Sequence, residues 1–64
     1  MTDLSRNYTK EAIWFQEDAE FLYRAARTAF DNSATHSAKL AQENAAISAQ
    51  IARDFAHLAA QVTA

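Results

Sequence analysis

The stretch Asp31-Asn32-Ser33-Ala34-Thr35-His36-Ser37 divides the chain, because helical hydrophobic periodicity runs up to it, lapses, and resumes beyond it. Its Asn, Ser and Thr side chains compete with helical backbone hydrogen bonds. Asparagine also tolerates the left-handed conformation that closes a helix. Ser33, Thr35 or Ser37 is then available to cap a second helix. The alternative, a single helix running through, is disfavoured by the same residues on propensity.

Upstream of the break, Leu4, Tyr8, Ala12, Phe15, Ala19, Leu22, Ala26 and Ala29 recur at alternating steps of four and three. That pattern is a stripe along one helical face, widened by Tyr23 and Phe30, and it predicts a helix over about 3–31. Glu11, Glu17, Asp18 and Glu20 crowd its first half, with Arg24 and Arg27 following. This order suits the helix dipole, and Glu20 with Arg24 makes a favourable pair one turn apart. Asp3, Ser5, Asn7 and Thr9 are all candidate N-caps.

Downstream, Leu40, Asn44, Ile47, Ile51, Phe55, Leu58 and Val62 mark a second helix over about 37–62, joined to the first by a connection at 32–36. Leu40, Ile51 and Val62 stand eleven residues apart, a spacing that suits a nearly straight helix. Beside them runs a row of small residues, Ala41, Ala45, Ser48, Ala52, Ala56 and Ala59. Small side chains let another helix approach closely, near the low end of the usual separation of about 8–10 Å. The second helix therefore has two faces ready for neighbours. The fold expected is all-α, a single domain spanning 1–64 built as an antiparallel two-helix hairpin. One hairpin cannot cover both faces, so dimerisation into a four-helix bundle is expected as well.

Composition supports this reading. Glycine, proline and cysteine are absent and alanine makes up a quarter of the chain. Without glycine, hairpin turns of a sheet and phosphate-cradling loops lack their usual residue. Without cysteine there is neither disulfide nor thiolate metal site, and small domains otherwise lean on oligomerisation. The net charge is −2. Lys10, Arg24, Arg27, Lys39 and Arg53 are interspersed with acids along the chain, unlike the basic stripe of a nucleic-acid binder. No apolar run reaches the roughly 18 residues of a membrane span, and residues 1–9 lack a signal-peptide pattern. A cytoplasmic protein is expected.

Few residues invite a chemical role. Asp54 and His57 lie one turn apart and are similar to half of a carboxylate-bridged metal site in a helical bundle. Asp54 falls at the margin of the apolar stripe and His57 outside it, so no metal or other cofactor is expected. His36 belongs to the connection, and two separated histidines assemble no catalytic triad; no enzyme activity is expected. Asn44 interrupts the second apolar stripe, either as an exposed residue or as a polar group that fixes register. Ile13 is a lone apolar residue on a charged face, which is ordinary. Trp14 and Phe21, seven apart and flanked by Lys10, Asp18 and Ala25, form an aromatic patch of the kind enriched at binding hot spots.

The function expected from these features is a protein-interaction module. It is a homodimer that binds and modulates or inhibits a further, unidentified protein through Lys10, Trp14, Asp18, Phe21 and Ala25. Stand-alone chains of this size are common among the regulators of phages and mobile elements. The alternatives are a structural assembly component or a nucleic-acid-associated regulator. The hairpin layout resembles that of the RNA-binding regulators of plasmid copy number, which implies such a role, although the likeness covers no motif.

Overall fold

The computed structural model describes residues 2–63, with side chains for 2–62. Met1 and Ala64, the ends of the expected domain, lie outside the described residues. Two helices, α1 (Asp3–Asp31) and α2 (Thr35–Thr63), run antiparallel and pack against each other along their length. Each end of α1 has a specific chemical cause. Thr2 is extended, at φ −78° and ψ 163°, and its hydroxyl oxygen accepts the Ser5 N–H at 3.0 Å. The N-cap is thus Thr2, one residue ahead of the first candidate, because Asp3, Ser5, Asn7 and Thr9 are already helical. Asp3 instead lends its charge to the first turn and accepts a hydrogen bond from the exposed Arg6 guanidinium at 2.8 Å.

At the other end the chain reverses in three residues. The Asn32 N–H donates to the Thr28 carbonyl at 3.1 Å, that of Ser33 to Phe30 at 3.0 Å, and that of Ala34 to Ala29 at 2.8 Å. This nested set is a Schellman motif, whose residue after the C-cap takes a left-handed conformation. That residue is Ser33, at φ 63°. Asn32, the expected left-handed residue, is the C-cap itself at φ −94°. Helix α2 then starts at Thr35, two residues earlier than expected. None of Ser33, Thr35 and Ser37 holds the capping position, which falls to Ala34. A serine in left-handed space carries a Cβ penalty that glycine lacks. Ser33→Gly is expected to stabilise the fold by about 1 kcal/mol after the extra chain entropy of glycine is counted. A melting temperature several degrees higher by circular dichroism checks it.

The seam between the helices is made of small residues on both sides. In α1 it consists of Ser5, Ala12, Ala19 and Ala26, and in α2 of Ala38, Ala45, Ala52 and Ala59, each series stepping by seven. All are buried apart from the half-buried Ala12. The Cα trace measures 47 × 12 × 10 Å. With Cα atoms about 2.3 Å from a helix axis, the 12 Å width leaves roughly 7–8 Å between the axes. Such an approach is possible only where neither helix carries a side chain larger than a methyl or hydroxymethyl group along the contact.

This resolves which face of α2 meets α1. The row of small residues does so: Ala45, Ser48, Ala52 and Ala59 are buried, Ala41 is half-buried, and Ala56 at its edge is exposed. The large stripe is left aside, with Leu40, Ile47 and Leu58 exposed and Ile51, Phe55 and Val62 half-buried. The eleven-residue spacing of Leu40, Ile51 and Val62 therefore does not set the helix contact, which follows the seven-residue step of the alanines.

Candidate functional site

The seam rows define two broad faces. Residues three positions after each seam residue project to one side: Tyr8, Phe15, Leu22 and Ala29 from α1, and Ala41, Ser48, Phe55 and Val62 from α2. In an antiparallel pair related by a perpendicular two-fold, equivalent rows share a face. Ring contacts agree: Phe15 and Phe55 stack at 5.8 Å between centroids, and Tyr8 meets Phe55 at 5.9 Å. On the same face the Ser48 hydroxyl donates to Asp18 Oδ2 at 2.7 Å, joining the helices near their middles. This side is the front of the hairpin.

Six of the nine exposed large apolar side chains among the described residues lie on the front, while Ile13, Tyr23 and Phe30 are exposed on the back. Trp14 and Phe21 form the outer row of α1 on the front, 58% and 61% exposed, and Trp14 packs edge-on against Phe15 at 4.8 Å. Leu40 and Ile47 form the matching outer row of α2, and Leu4 and Leu58 lie nearer the open end. The result is an aromatic and aliphatic surface over which no third layer lies. Asn44 is exposed on this same face, so it fixes no register within the hairpin.

Of the five residues expected to meet a partner, Trp14 and Phe21 stand together on the front and are open to solvent. Ala25, half-buried, and Asp18 lie inward of them, and Asp18 is drawn toward α2 by Ser48. Lys10 is exposed in the row facing away from the seam. Leu40, Ile47 and Leu58, on the large-residue face that periodicity marks as one of two ready for a neighbour, belong to the same surface. The signal that separates the two is the shared seven-residue step of small residues in both helices, which claims the seam and leaves the leucines and isoleucines outside it.

The back is different. A shallow groove of about 650 Å³ runs between Thr9, Ile13 and Gln16 of α1 and Ala52, Arg53 and Ala56 of α2. Tyr23 and Phe30 flank a smaller hollow near the turn. Away from this groove, Asp54 on the front row of Leu40 and Ile47 accepts a hydrogen bond from the Gln50 amide at 3.0 Å, and His57 Nε2 on the outward row meets the Gln61 amide at 3.1 Å. Both are exposed and engaged along their own helix. Among the described residues no three His, Cys, Asp or Glu side chains are grouped to hold a metal ion, and no helix is long and apolar enough to cross a membrane.

Charge is segregated by face, although it is interspersed along the chain. All six Lys and Arg residues (Arg6, Lys10, Arg24, Arg27, Lys39 and Arg53) occupy the outward and back rows. They share those rows with Asp3, Glu17, Glu20, Asp31 and Glu43. The front rows hold only acids: Glu11, Asp18 and Asp54. No family model, curated protein or solved structure matches the chain.

Proposed function

We propose that the chain is a non-enzymatic protein-interaction module whose front face is covered by a further helical surface, and that it modulates the protein it binds. One observation carries this reading: the seam is built from alanine and serine, while Trp14, Phe21, Leu40, Ile47 and Leu58 lie exposed beside it. Contiguous exposed apolar surface of this kind marks interaction sites. A compact monomer of 7.1 kDa exposes about 4,100 Å², whereas the hairpin exposes 4702 Å². That excess of roughly 600 Å² belongs to the whole elongated hairpin, to which the front contributes six of the nine exposed large apolar side chains.

Two hairpins packed front to front make a four-helix bundle, and the same exposed apolar surface supports that arrangement. The nucleic-acid reading has less behind it, since the six cations share their rows with five acids. The non-enzymatic reading is consistent with the two hollows described above, which are open grooves, whereas catalytic sites are commonly enclosed and exclude water.

Trp14→Ala combined with Phe21→Ala is the direct test. Both side chains are more than half exposed, so the double variant keeps its helical circular dichroism. Hot-spot aromatics contribute about 2 kcal/mol or more each, so association through the front, with itself or another protein, is expected to weaken by roughly 100-fold or more. Sedimentation and comparative pull-down read it. Association that survives the double substitution unchanged removes the front face from consideration.

A further inference from the structure

The front face combines apolar rows with three carboxylates and carries no Lys or Arg, and this combination specifies the chemistry of what covers it. We propose that its occupant is an amphipathic helix of another protein, carrying Lys or Arg beside an apolar ridge. The inference rests on the interaction-module reading above and deepens it. Glu11 and Asp18 lie beside the Trp14 and Phe21 row, and Asp54 continues the Leu40 and Ile47 row. Glu11 and Asp54 are exposed, and Asp18 is half-buried.

A second copy fits the apolar part equally well and the charge less well. Front-to-front packing brings six carboxylates, three from each copy, toward one interface to which the front rows contribute no Lys or Arg. Like charges juxtaposed across an interface oppose association, whereas complementary ones favour it and set the choice of partner. A helix with an apolar ridge fills the space over Phe15 and Phe55, and its flanking cations reach Glu11 on one side and Asp54 on the other.

Trp14 is the sole tryptophan of the chain and stands on this face, so its fluorescence reports occupation. The probes are two tryptophan-free synthetic helices of three heptads with the same leucine ridge, one flanked by lysines and the other by glutamates. The lysine helix is expected to bind roughly tenfold more tightly at low salt, the yield of a few exposed ion pairs. That preference shrinks toward unity at about 0.5 M salt, as screening removes it. Glu11→Gln with Asp54→Asn abolishes most of the preference while leaving the leucine-driven binding. Equal binding of both helices at low salt overturns the charge inference and leaves the interaction module standing. Binding of neither overturns both. A front-to-front homodimer that tightens as salt rises, and excludes the lysine helix, overturns the inference in favour of a second copy.

Discussion

Ala45→Leu is expected to remove most of the stability of the hairpin. Ala45 is 0% exposed and sits in the middle of the α2 seam. Overpacking an ordinary core costs about 1–3 kcal/mol, because neighbouring side chains can shift to make room. Here the neighbours are backbone and methyl groups of a helix whose axis lies only about 7–8 Å away, so the added isobutyl group must push the helices apart. A loss at the upper end, about 3 kcal/mol, lowers the melting temperature by more than about 10 °C in a domain of this size. Native stability runs at roughly 0.05–0.15 kcal/mol per residue, so that loss alone is a large fraction of the whole. Urea denaturation followed at 222 nm measures it. Ala46→Leu is the control: Ala46 is exposed, and its substitution is expected to stay within about 0.5 kcal/mol. Equal behaviour of the two variants would show that the alanine seam is not the contact that holds the helices together.

Phe55→Ala is the second large effect. Phe55 is the ring through which α2 meets both Tyr8 and Phe15, and it supplies the main bulky contact between helices on the front. Aromatic pairs contribute about 0.5–1.5 kcal/mol beyond their buried area, and truncating a fully buried Phe costs about 3–5 kcal/mol. For a half-buried ring with two partners, a loss of about 2–4 kcal/mol is expected. Phe55→Leu keeps much of the volume and gives up the stacking, so it is expected to lose about 1 kcal/mol. The difference between the two variants separates volume from ring geometry. If Phe55→Ala proves neutral, the front rings contribute nothing to the hairpin itself.

The helices, their order and the site of reversal were all legible in the residues, because periodicity reports which side chains share a face. It does not report which face meets which neighbour. For α2 two faces competed, and hydropathy favours the leucine and isoleucine stripe over the alanines. The decision came from geometry: two helices with small residues at a common step of seven can approach more closely than any arrangement that seats leucine between them. The N-cap was missed by one position because four capping residues crowd the start, and only the backbone says which of them precedes the first helical turn. The left-handed position fell on Ser33 and not Asn32 because the Schellman motif puts it one residue past the cap. Of the partner patch, Trp14 and Phe21 were recognisable as lying off the stripe. The engagement of Asp18 by Ser48 spans thirty residues and is invisible to local patterning, as is the sorting of charge by face.

The repetition that makes the seam close also makes it a poor ruler. Sliding α2 along α1 by one heptad would replace alanine by alanine over most of the contact, so the methyl groups scarcely distinguish one alignment from the next. Discrimination falls to the features that do not repeat: Phe55, whose ring meets Tyr8 and Phe15, and two others. One is the three-residue reversal, whose nested hydrogen bonds leave no slack. The other is the Ser48 to Asp18 hydrogen bond: a slip of seven would put Ala41 or Phe55 where Ser48 stands, leaving the half-buried carboxylate without its hydroxyl donor. The hairpin is thus held together by one set of residues and indexed by another, and the alignment of its front face, row against row, depends on the smaller set.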